Sequence, residues 1–161
     1  MQKKTGPILA VVLTFIIVAS TWLFMHTVGL GFLVGTSIVL DLRVLGLSPS
    51  LPLQPMKRFV PVMWAGFWIN ATSGVILAVI DATSMLVNPL FYIKLSFILL
   101  AMLCGRLIAK QVFTNSPADV PVGSGARILA GASLFFWVGA ITAGRLTAYL
   151  FTHAGTVASI R

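Results

Sequence analysis

The chain contains no glutamate. Its acidic residues are three aspartates, Asp41, Asp81 and Asp119, set against 11 Lys and Arg, and only 9% of all residues are charged. A soluble domain coats its surface with roughly 25% charged residues, so a water-facing globular surface is excluded. The single cysteine, Cys104, excludes an internal disulfide. It lies in an apolar stretch, where packing rather than chemistry is the expected role. Histidine is scarce too, with only His26 and His153. There is no His-Glu-x-x-His, no Cys-x-x-Cys, no phosphate-binding glycine loop and no pair of neighbouring carboxylates. Those absences remove the common soluble catalytic chemistries, and the chain is expected not to be an enzyme.

What is there is apolar: 58% of 161 residues. A helix needs about 20 mostly apolar residues to cross roughly 30 Å of hydrocarbon. Four windows qualify, at about 22–46, 59–80, 89–112 and 127–151. The expected fold is therefore an all-α polytopic membrane helix bundle. Its layout is an N-terminal apolar lead-in helix over 1–21, a four-span bundle over 22–152 and a short tail over 153–161. The lead-in, Ile8 to Ala19, follows Lys3 and Lys4, and Gly29 and Gly31 are the first break points after it. It reads as an interfacial helix, a fifth span or a signal sequence. Gly46 and Pro49 stop the first span, Pro89 opens the third, and Gln111 to Gly125 is a loop.

The net charge of +8 sits at span ends, where it sets topology and meets anionic lipid headgroups. It does not form the basic stripe of a nucleic-acid-binding protein. Arg43, Lys57 and Arg58 flank one connection and Lys110 and Arg127 another, whereas 81–88 has no Lys or Arg. The positive-inside rule puts the first two in the cytoplasm and 81–88 outside. Four crossings then leave both termini outside, against the preference of Lys3 and Lys4.

Ionisable groups within spans cost about 2.5–3.5 kcal/mol each on insertion scales and mark functional candidates. Antiparallel threading brings His26, Asp81, Lys94, Arg145, Tyr149 and His153 to one level near the outer surface. That cationic group suits an anion: heme propionates, a lipid phosphate or a carboxylate. Arg145 can fork onto a carboxylate, and His26 is a candidate axial ligand for heme b. Met25 and His26, with Met85 nearby, offer a thioether and imidazole set for Cu(I). At the opposite end, Asp41, Arg43 and Arg106 converge, and an ion pair among them would fix helix register. Gly31-x-x-x-Gly35 allows a close helix contact.

The run His26-Thr-Val-Gly-Leu-Gly-Phe-Leu-Val-Gly35, with Asp41-Leu-Arg-Val-Leu-Gly46, resembles a family of small bacterial inner-membrane proteins of unknown function. Trp64-Ala-Gly-Phe, Ser73-Gly74, Asn88-Pro-Leu-Phe-Tyr-Ile-Lys94, Trp137 and Gly144-Arg-Leu-Thr-Ala-Tyr149 agree with it in order. The resemblance implies a helical bundle with His26, Asp41, Arg43, Lys94 and Arg145 as family-type positions, and no established activity. More distantly, the chain is similar to the membrane domain of copper-resistance D proteins. The expected protein is an accessory or redox-associated subunit of the bacterial inner membrane, in contact with anionic lipid and with other membrane subunits or its own copies.

Overall fold

A computed structural model describes residues 5–114 and 122–158 of the chain. Every regular element among them is helical: α1 (Thr5–Leu45), a 3₁₀ turn (Gln54–Arg58), α2 (Phe59–Ile80), a short α3 (Ala82–Met85), α4 (Pro89–Phe113) and α5 (Ser124–Ala158). Four helical stretches are long and apolar enough to cross a membrane: Gly6–Leu45, Gln54–Ile80, Pro89–Phe113 and Ser124–Thr147. The protein is an all-α bundle of the multi-pass membrane class. Lys3, Lys4 and most of the polar loop before α5 lie outside the described residues, as does Asp119.

The lead-in is not a separate helix. α1 runs unbroken through Gly29 and Gly31 for 41 residues, about 60 Å at 1.5 Å per residue. A glycine inside an apolar helix costs only about 1 kcal/mol, and here neighbouring turns hold the ladder together. The most apolar window of α1 has none of its residues buried within the protein. α5 likewise continues to Ala158, so the short tail begins as helix.

The ends of the helices follow local chemistry. Gly46 has φ +89°, open to glycine at little cost. Its N–H donates to Arg43 O (3.1 Å) and the Leu47 N–H donates to Leu42 O (3.1 Å), closing α1 with a Schellman motif. Asn88 caps α4: its Oδ1 accepts from the Leu90 N–H at 2.9 Å, and Pro89 fills the first helical position.

α1 and α2 form one antiparallel hairpin and α4 and α5 a second, joined mainly by α1 against α5. The core falls into two clusters. One holds Leu33, Val34, Met63, Ala101, Met102, Trp137 and Ala140. The other holds Leu40, Val44, Met56, Ile108, Val112, Ala126 and Ala130. Large apolar side chains such as Trp68, Val75, Val79, Leu99, Ile128 and Phe135 point outward, as expected where lipid is the solvent. Small residues sit inside, because without water to drive helices together, backbone approach supplies the packing.

The closest such approach is between Gly29 and Gly66. A Cβ on Gly29 would lie 2.6 Å from Asn70 N, and one on Gly66 would lie 2.6 Å from Leu33 N. Gly31 and Gly35, the pair expected to pack, have nothing within 4 Å of where a Cβ would be. They face away from the bundle, because α1 turns Gly29, Leu33 and Ser37 inward instead. Cys104 is buried and free, as a packing residue would be.

Candidate functional site

His26 lies on α1 one turn before Gly29, and the glycine contact brings its ring onto α2. Nδ1 is 3.0 Å from the backbone oxygen of Asn70 and 3.2 Å from Ser73 Oγ. A carbonyl oxygen can only accept, so in the neutral ring Nδ1 carries the proton and Nε2 keeps the lone pair. The Asn70 amide donates back to His26 O at 2.9 Å. Its nitrogen is 3.3 Å from Nδ1 and 3.4 Å from Nε2, which places it over the ring face rather than in line with either lone pair. Gly74 provides the seat: a Cβ there would lie 3.1 Å from His26 Cε1. Asn70 and Ser73 are buried, and neither was singled out as a site residue in the sequence. A polar signal was present, since Gly66, Asn70, Ser73 and Gly74 recur at helical spacing on one face of α2.

Lys94, on α4, is half-buried. Its chain lies against Gly144 of α5, with Cδ and Cε 3.6 Å and Nζ 3.8 Å from a Cβ placed there. The Lys94 charge reaches the His26 imidazole, so the two residues share one end of the bundle. Burial is the influence acting on Lys94. Arg145 follows Gly144 directly and is exposed, and Tyr149, one turn further along α5, is 60% exposed. Asp81 is exposed at the end of α2 and is not without a partner. The His153 side chain lies outside the described residues. His26 and Lys94 thus lie close enough for the ammonium to act on the imidazole, while Arg145, Asp81 and Tyr149 are exposed.

Met25 is exposed while His26 turns inward, because adjacent residues on a helix point about 100° apart. Among the described residues no group of three or more His, Cys, Asp or Glu gathers as a metal centre.

The group at the other end rearranges. Asp41 is 1% exposed. Arg43 turns away along the loop and donates from Nε to Leu51 O. Arg106 is exposed. The expected ion pair among Asp41, Arg43 and Arg106 does not form. Both arginines lie near helix ends, where a long side chain reaches polar surroundings at less cost than burial beside a carboxylate.

No protein family, curated protein or solved structure matches the chain. The class is therefore set by the fold alone, an all-α multi-pass membrane protein, and the site by its own geometry.

Proposed function

We propose that this chain is a non-enzymatic protein of the bacterial inner membrane that holds an anionic ligand at the His26 end of its bundle and serves as an accessory subunit. The observation that carries this reading is the half-buried Lys94 ammonium, laid against Gly144 and close enough for its charge to act on the His26 imidazole. A cation in a poorly hydrated place calls for a counter-ion. Arg145 at its edge adds a planar fork for a phosphate or carboxylate. Anionic lipid headgroups supply the first of these wherever such a rim meets a leaflet.

Native mass spectrometry of the protein from mixed anionic and zwitterionic lipid tests it. Anionic lipid is expected to be retained selectively. Lys94→Ala and Arg145→Ala should each weaken retention about fivefold, on about 1 kcal/mol per cation near the headgroups. Equal retention of both lipids by wild type and variants overturns the reading.

A second reading is favoured by the tautomer of His26. An imidazole whose Nδ1–H is held by a backbone carbonyl presents Nε2 as a ligand, the arrangement that metal-binding histidines use. Heme b would then sit on His26, with Lys94 and Arg145 toward its propionates, and would supply one-electron chemistry. Heme-supplied protein that shows a Soret band lost in His26→Ala supports this; no band removes it.

A further inference from the structure

Between the two core clusters lies a polar layer that the His26 end does not use. Asp41 and Ser37 sit one turn apart on α1, Ser133 and Trp137 one turn apart on α5, and Cys104 faces them from α4. All five are more than nine-tenths buried. Ser133 faces the Asp41 carboxyl. Asp41 Oδ2, Ser133 Oγ and Trp137 Nε1 are each buried without a hydrogen-bond partner. Three orphaned polar atoms on adjoining turns are far from the rule for a protein interior. Ser37 is not among them, since its hydroxyl donates to Leu33 O at 2.8 Å.

The chemistry of these groups selects the ligand. The indole N–H only donates, whereas the serine hydroxyl both donates and accepts. A metal ion would be repelled by the indole N–H and would find one carboxylate. A permanently ionised carboxylate would want a fixed cation, yet Arg43 is bonded to Leu51 O and Arg106 is exposed. Cys104 is the titratable group that interacts with Asp41 from α4; from α5 the facing group is Ser133, with Trp137 one turn further along, both uncharged. A protonated carboxyl can donate to Ser133 Oγ, and an ionised one can accept from the Ser133 hydroxyl and the Trp137 N–H. One bridging water would serve all three orphaned atoms in either state, within the usual two to four bonds of a buried water.

We propose that Asp41, with Ser133 and Trp137, forms a membrane-embedded proton-binding site, in which the carboxyl takes up and releases a proton through a bridging water. The site adjoins both apolar clusters, and Val44, Met56 and Ile108 of the second lie toward the basic end of the bundle. A proton therefore reaches it only when that plug admits water.

A lipid-soluble carbodiimide tests this on the full chain in vesicles. The protonated acid adds its O–H across the C=N bond, and the O-acylisourea rearranges to a stable N-acylurea on the carboxyl, with nothing lost. Peptide mass mapping is expected to find the adduct on Asp41. Labelling should fall about tenfold for each pH unit above its midpoint. Ser133→Ala and Trp137→Phe should both move that midpoint, because each removes one polar group that the bridging water joins to the carboxyl. Two results overturn the site: an adduct independent of pH, or a midpoint that neither variant moves. Infrared spectra keep the test open if the reagent cannot enter. A protonated-carboxyl C=O stretch that titrates in wild type and is missing from Asp41→Asn supports the site, and a spectrum without it overturns it. None of these readouts involves Lys94, Arg145 or bound lipid, so this site and the anion site fail separately.

Discussion

At the scale of single residues, one asparagine ties two helices together. Asn70 gives its carbonyl to His26 Nδ1 and its amide to His26 O. Interhelical side-chain bonds in lipid average about 0.6 kcal/mol and reach about 1–2 kcal/mol. Asn70→Leu keeps the backbone carbonyl and loses the amide. It should lower unfolding stability in detergent by about 1 kcal/mol while leaving His26 held at Nδ1. Gly29→Ala should cost more, about 1–3 kcal/mol for overpacking, because its Cβ would meet backbone at 2.6 Å. Gly31→Ala, with nothing nearby, should be neutral or slightly stabilising by helix propensity. Chemical denaturation of the three variants side by side checks the ranking. A Gly31 variant weaker than the Gly29 variant would contradict the packing described.

At the scale of elements, the sequence was plain about helices and poor about faces. Residues 59–80 for α2 follow from apolar length alone, and Pro89 marks the start of α4. The inward faces were hidden because every side of these helices is apolar, so hydropathy has no period to show. They were written instead in small and polar residues: Gly66, Asn70 and Ser73 on α2, and Ala126, Ala130, Ser133, Trp137 and Ala140 on α5, at alternating steps of three and four. The Gly31–Gly35 pair fits a common motif, yet only the helix rotation decides which glycines meet a partner. A shared depth for His26 and Lys94 was legible as an expectation from antiparallel threading. The fate of Asp41 was not, because depth along a span does not say whether an arginine at a similar depth turns inward or snorkels. The Schellman end of α1 carries its own prediction. Gly46→Ala forces a β-carbon onto φ +89° and should cost about 1–2 kcal/mol, read as a lower thermal midpoint in detergent.

At the scale of the whole molecule, two antiparallel hairpins put the α1–α2 and α2–α4 connections on opposite faces. Cysteines introduced at Ser50 and Thr83 should therefore react with a membrane-impermeant maleimide from opposite sides of sealed vesicles. Buried Cys104 should stay silent in the background. The basic residues around the first connection predict that position 50 faces the cytoplasm. Labelling of both positions from one side would overturn the threading.

The contact between Gly29 and Gly66 has a mechanical meaning. Where backbone rests on backbone there are no rotamers to rearrange, so that joint is stiff and α1 and α2 travel as one body. Give must come from softer seams, and the boundary between the hairpins, where α1 meets α5, is the next in line. A seam that opened there would lie beside Asp41, so the stiffness of one glycine pair would steer water toward the one carboxyl buried among the described residues.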